Sequence, residues 1–455
     1  MFTTLKNAFK TKDVRNKILL TLGILLLYRV GCWLPLPGLN PTWYSQEWNV
    51  DSGSFLALIS AIGGNALRNG AWLALGVSPY INASIIIQLL TIALPPLERL
   101  SKQGEDGRKK IAQITRYLTL VLGAAQCVGI IISWANDGNI VPAQTFGGPV
   151  WLMGVIIGFF MLAGTTFTMW LGEKITEIGV GNGISLLIFV GILSTAGQSL
   201  QDAVLASFGR GKYGGDPNTA MWELIFFLIM VTAIFVLIVF IDGAERKIPI
   251  QYAKQIKGRK QYGGQSTHIP IKVNATGVLP IIFATALVSL PQMLFSMFAT
   301  SATDTTQGFG AFYSWWSRNI GTGSWPHSII VALLIFGFSY FYAQIQFKPE
   351  EVSRNLQQYG GLIPGIRQGR PTTEYLGRIS KRLTFFGALF LVFIALIPTI
   401  VFKSTLGAPG SSRETVGLVN AFSATGLLIV VSVALEFDKQ LESLLMMKHY
   451  KGFLK

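Results

Sequence analysis

Three histidines, His268, His327 and His449, and two cysteines, Cys32 and Cys127, are the side chains that could ligate a metal ion or act as nucleophiles. Their spacing argues against both uses. A zinc site or an activated nucleophile needs several donors close together, whereas the histidines are far apart in sequence and each cysteine sits inside an apolar run without a partner at metal-ligand or redox spacing. The glycine-rich stretch Gly179-Val-Gly-Asn-Gly183 has no Lys-Ser/Thr after it, which a phosphate-cradling loop requires. No catalytic residue, metal ligand or cofactor is therefore assigned, and nucleotide energy, if used, must come from a separate subunit. Ion-coupled carriers keep charged groups inside the bilayer to bind and release their ion. Here only Arg29 stands well inside an apolar run, while Glu223 and His327 lie at the edges of theirs. Snorkelling or a helix-helix hydrogen bond is the ordinary reading of Arg29.

The elements that must position these residues are apolar. Hydrophobic residues make up 51% of the 455 positions and charged residues 13%, a balance unsuited to a solvated surface. Apolar stretches of bilayer-crossing length recur ten times, near 18–36, 71–94, 117–134, 150–171, 184–200, 221–241, 275–298, 326–347, 383–402 and 415–435. The first follows a basic head like that of a signal peptide, but no small-residue cleavage site follows it, and the chain leaves through Pro35-Leu-Pro-Gly38.

The formal charge of +15 has to be judged against these runs. Of the 37 Lys and Arg residues, 30 fall on one side of the ten-span layout. Positive-inside bias places that side, and both termini, in the cytoplasm and accounts for most of the basic excess.

One apolar segment does not span. Ser54 to Leu67 is too short and is broken by Gly63-Gly64. It is either a re-entrant helix surrounded by protein or a water-filled cavity, or an interfacial helix lying flat outside. Two basic loops are also prominent. Lys257-Gly-Arg-Lys260 lies between Tyr252 and Tyr262, and Tyr359 to Arg370 is rich in glycine. Either could be a docking finger for an acidic or RNA partner, or simply a solvated topological loop.

Five ordered stretches carry a family resemblance: Pro35-Leu-Pro-Gly38, Gly76-Val-Ser-Pro-Tyr-Ile-Asn-Ala-Ser-Ile-Ile-Ile-Gln88, Trp170 to Ser185, Gln265 to Asn274 and Pro364-Gly-Ile-Arg367. The ordered set resembles the bacterial SecY family over nearly the whole chain. The resemblance implies an all-α integral membrane protein of the bacterial cytoplasmic membrane, with ten transmembrane helices in two pseudo-symmetric halves, 18–200 and 221–435. An external loop, 201–220, would join the halves. Basic cytoplasmic loops would occupy 243–274 and 348–382, and cytoplasmic ends 1–17 and 436–455. The implied activity is passage of unfolded secretory polypeptides, with lateral release of transmembrane segments into lipid.

By motif position the resemblance implies a pore ring of Val77, Ile81, Ile184, Ile188, Ile282 and Ile429. It implies a plug at 54–67, including Phe55, Leu58, Ile59, Ile62, Gly63 and Gly64. It also implies a lateral gate lined by Asn82, Gln126 and Asn274, between the second and third helices of one half and the seventh and eighth of the other. Arg259, Lys260 and Arg367 are the implied contacts for the SecA motor ATPase and the ribosome, with SecE and SecG as companion subunits and signal sequences as ligands. An uncharged aliphatic ring can exclude water and ions yet deform around a passing chain. The competing reading is a secondary transporter of a small solute, which would need binding groups near the midplane.

Overall fold

The computed structural model describes residues 2–39, 60, 63–136, 140, 150–209, 217–252, 255–257, 260–262, 266–274, 276–299, 315–316, 319–320, 324–405 and 424–452. Each of the ten apolar runs carries a helix. In chain order the helices are α1 (Phe2–Lys10), α2 (Lys12–Gly31), α3 (Ser78–Ala93), α4 (Pro95–Ser101), α5 (Glu105–Asn136), α6 (Val150–Ile178), α7 (Gly183–Ser207) and α8 (Pro217–Asp242), followed by α9 (Leu279–Ala299), α10 (Trp325–Gln346), α11 (Pro349–Gln358), α12 (Arg370–Thr405) and α13 (Ala424–Gly452). Among the described residues six of these, α5, α6, α7, α8, α10 and α12, hold stretches long and apolar enough to cross a membrane. The pair α3 and α4, bent by 104° where Leu94 separates them, makes a seventh if taken together. Helices α2, α9 and α13 occupy the remaining three apolar runs.

Several helices differ in extent from the apolar runs. The second begins at Ser78 rather than near 71, because Gly70 and Gly76 take positive φ and residues 71–77 wind through turns. That stretch is tied to the exit of α2 by Trp72 N donating to Leu34 O at 2.8 Å and Leu36 N donating to Gly70 O at 2.8 Å. Helix α7 runs on to Ser207, into the stretch expected to be loop from 201, because Ala203 and Val204 pack against Leu224 and Phe227 of α8. Likewise α13 continues to Gly452, and Leu441 on it is buried against Ala8, Val14, Ile18 and Val180. The two ends of the chain therefore meet on the basic side.

The two large basic loops are not simple loops, and the all-helical expectation omitted their strands. β1 (Glu245–Tyr252) pairs antiparallel with β4 (Ser266–Lys272) from Glu245 opposite Lys272 to Gln251 opposite Ser266. The two-residue β5 (Gly361–Leu362), from the other basic loop, pairs with the far end of β1, Gln251 opposite Leu362 and Tyr252 opposite Gly361. A second ribbon joins β2 (Gln255–Lys257) and β3 (Lys260–Tyr262). The alternation of β1 buries Ile248 and Ile250 and turns Lys247 and Gln251 outward. Ile248 joins Ile271, Ile363 and Leu376 in a small separate core, which explains why α12 starts at Arg370, well before its apolar run.

A candidate channel constriction and its lateral seam

The glycine-rich stretch 179–183 is structural. Gly181 takes φ +94, and a Cβ on Gly183 would lie 2.0 Å from Gly172 O of α6, so only glycine fits. Val180 N donates to Thr21 Oγ1 at 3.2 Å and Gly183 N to Thr176 Oγ1 at 2.9 Å. The Asn182 side chain then accepts from the Ile184 and Ser185 amides and caps α7. This start point fixes where Ile184 and Ile188 stand on the helix. On α3 the corresponding device is Pro79 in the first turn, with Val77 as the cap and its carbonyl accepting from Ile81 N at 3.1 Å.

The six candidate ring residues fall into one apolar cluster, although they come from four places in the chain. Val77, Ile188 and Ile429 are buried in it, and Ile81, Ile184 and Ile282 are partly buried against it. The same cluster takes in Leu25 and Tyr28 of α2, Leu171 and Ile175 of α6, Leu187 and Ile192 of α7, and Val433 of α13, among others. Helices α3 and α7 of the first half thus meet α9 and α13 of the second around branched, uncharged side chains, a surface that gives a water column nothing to bond to.

Beside this collar, α3 packs against α9 and α10. Ile85, Phe283 and Tyr342 are buried together, with Leu89, Ala286, Phe338 and Phe341 against them. Phe283 meets Phe338 edge-on at 5.9 Å between ring centroids and Tyr342 at 5.1 Å. The Tyr342 hydroxyl donates to Gln88 Oε1, a polar tie directly across the seam. Gln88 closes one of the conspicuous sequence stretches, yet nothing in the sequence marks Tyr342 as its partner.

The three polar residues expected at the gate, Asn82, Gln126 and Asn274, are all buried. They are not joined by hydrogen bonds to one another among the described contacts. Both amide atoms of Gln126 are buried without a partner. Asn274 instead donates to Asp242 Oδ1 at 3.2 Å, holding the entry to α9 against the end of α8, while its own Oδ1 is buried and unpartnered.

On the basic side, Arg367 is exposed in the turn between β5 and α12. Its backbone is fixed: Thr372 Oγ1 donates to Arg367 O at 2.8 Å, Ser353 Oγ to Gly369 O at 2.9 Å, and Gln368 Nε2 to Gly361 O at 3.0 Å. Lys260 lies on β3 opposite Lys257, and Arg259 falls outside the described residues. So do Phe55, Leu58, Ile59 and Ile62 of segment 54–67. Its described members are Ser60 and residues 63–67; Gly63 and Gly64 are buried, and Ala66 joins the collar cluster. Lys272, at the end of β4, titrates below its ordinary 10.5, first because it is partly desolvated and then because the Lys439 ammonium lies beside it. No cluster of three or more potential metal ligands occurs among the described residues.

The family model for SecY matches residues 72–437. The chain is 40% identical over 464 residues to the protein translocase subunit SecY of Streptomyces coelicolor, covering the whole of both chains. It is also 40% identical over 461 residues to that of Thermotoga maritima, covering 100% of this chain and 98% of that one. Among solved structures, one described as a protein-conducting channel superposes with a TM-score of 0.63 at 18% identity over 94% of this chain and 91% of the other. A Sec61 chain from the canine ribosome-channel complex of the endoplasmic reticulum gives a TM-score of 0.58 at 16% identity, over 94% and 91%. The structural likenesses share the fold, and the full-length sequence match decides membership: the chain belongs to the SecY family.

Proposed function

We propose that this chain is the channel subunit of a Sec protein translocase, passing unfolded secretory polypeptides through the bilayer and releasing apolar segments sideways. The observation that carries the reading is the convergence of Val77, Ile81, Ile184, Ile188, Ile282 and Ile429, from both halves of the chain, into one uncharged collar. A polypeptide carries every kind of side chain, so its conduit must avoid specific bonds, and branched aliphatics meet that need. The seam of α3 against α9 and α10 is the lateral exit, where a signal sequence would replace apolar and aromatic contacts with its own.

Segment 54–67 is the plug on the external side. Arg259, Lys260 and Arg367 are the docking contacts on the cytoplasmic side. The energy of transport comes from a partner, the SecA motor ATPase or the translating ribosome, and SecE and SecG are the companion subunits. The chain resides in the bacterial cytoplasmic membrane with both termini in the cytoplasm.

The test places single cysteines at Ile81, Ile188, Ile282 and Ile429 in a background lacking Cys32 and Cys127, with a secretory chain stalled in transit. Crosslinks at all four, with none at the lipid-facing controls Leu26 and Phe159, are the expected result. No crosslink at any position, with folded channel and stalled substrate both present, would favour the competing small-solute transporter.

A further inference from the structure

Arg29 is the charged residue that stands away from the edges of the apolar runs, and neither collar nor seam uses it. It lies in the last turn of α2, and its Nη1 donates to the main-chain carbonyl of Gly64 at 3.2 Å. A snorkelling arginine would reach for headgroups or water; this one reaches for a carbonyl 35 residues away in sequence.

The turn it holds is unusual. Gly64 takes φ +67 and Asn65 φ 64, two successive residues in the left-handed region, and Asn65 is the one non-glycine in that region among the described residues. Such backbone persists only where surroundings over-determine it. A Cβ on Gly64 would lie 2.4 Å from the same Arg29 Nη1 and 3.1 Å from Gly191 Cα, so α7 closes the other side. Asn65 Nδ2 donates to Gln198 Oε1 of α7 at 2.7 Å, and Asn65 N donates to Ser60 O at 2.8 Å. The turn is therefore clamped from α2 by a cation and from α7 by an amide.

We propose that Arg29 and Gln198 are positioning residues that form a two-point lock on the Gly63–Asn65 turn, and that this lock must release before a polypeptide can pass. A lone guanidinium at bilayer depth is costly, and here its position is explained by a bond that is weak enough to break, of the order of one interhelical hydrogen bond. Because α7 also carries Ile184 and Ile188, a shift of α7 away from the axis widens the collar and withdraws Gln198 in one movement. The inference rests on the assignment of segment 54–67 as the plug.

The experiment uses the full-length chain with its companion subunits in sealed vesicles. Arg29→Gln and Gln198→Ala are each expected to raise substrate-free ion flux about fivefold, the effect of losing one such bond, with Arg29→Lys falling between parent and Arg29→Gln. A purely structural role would not predict the second readout. With Asn65→Cys and Gln198→Cys bridged by a short reducible thiol crosslinker, in a background lacking Cys32 and Cys127, export should stop and resume on reduction. Export at the parental rate through the bridged channel overturns the lock, as does parental ion flux in folded Arg29→Gln and Gln198→Ala. Deleting residues 54–62 separates the two readings. If the deletion leaves ion flux unchanged the plug assignment fails, whereas a raised flux there with none in Arg29→Gln refutes the lock alone.

Discussion

The collar and the seam lie side by side and share Ile81 and Ile282, yet they close by different forces. The collar is aliphatic and directionless: any of its side chains can turn without breaking a bond. The seam is built from edge-on aromatic rings and a hydroxyl-amide tie between Tyr342 and Gln88, which have preferred geometries. A region that must yield to every sequence is best left unspecific, whereas a region that must choose which segments leave sideways benefits from contacts a competitor has to match. On the proposed function, sealing and selection fall to different chemistries in two clusters that share Ile81 and Ile282.

The sharpest way to break this contrast is to give the collar a direction. Ile188→Asn buries an amide without partners, a cost of about 1–3 kcal/mol, and gives water a foothold. Ion flux through the resting channel should rise about tenfold, by the same energy scale. An unchanged flux in the folded variant would mean that the collar is not what seals.

Gln126, proposed to line the gate, and Tyr342 of the seam should respond in opposite senses. Gln126→Met removes a buried amide that has no partner, relieving about 1–3 kcal/mol, so the closed gate should be favoured and export of weakly apolar signal sequences reduced. Tyr342→Phe loses the bond to Gln88, about 1 kcal/mol in a membrane, and should open the gate modestly. Crosslinking efficiency between Ile85→Cys and Phe283→Cys reads both. A shift of the same sign in the two variants would show that the two polar groups do not act on the gate as proposed.

The smallest effect is expected on the basic side, at groups that belong to neither collar nor seam. The folded-state pKa of Lys272 lies below its ordinary 10.5, so the folded chain binds fewer protons than the unfolded chain between those two values. Stability should therefore rise with pH across that window. Lys439→Gln removes one cause of the depression and should flatten the rise, measured as melting temperature against pH in detergent, while collar and seam readouts stay at parental values.

Much of the scaffold was legible in the sequence because a bilayer imposes its own ruler. A run of about 20 apolar residues has few alternatives to a helix, and each such run does carry one. The six collar positions were reachable only through the order of motifs, since Ile282 and Ile429 look like any other aliphatic on a lipid-bathed helix. Their meeting depends on packing between distant helices, which no local pattern encodes. The sheet was missed for a different reason. β1 reads Glu-Arg-Lys-Ile-Pro-Ile-Gln-Tyr, with its alternation muffled by charges and a proline, and β5 has two residues and therefore no period at all. The tie between Gln88 and Tyr342 spans 254 positions and left no trace in either segment. Arg29 was visible as an anomaly, but its partner is a main-chain carbonyl, which carries no side-chain signature.

The pairing of β5 with β1 makes the two basic loops a single object for anyone who wants to rebuild this protein. Gly361 is enclosed by Leu356, Tyr252 and Ile250, and the core beneath draws on both loops and on the first turns of α12. Grafting one loop from a relative would leave half a sheet without its edge strand and half a core without its filling. A chimera that changes docking preference must therefore move residues 245–272 and 347–383 together, as one cassette with four splice points, three of them at the ends of helices or strands and the fourth inside α12, where the helical register has to be kept.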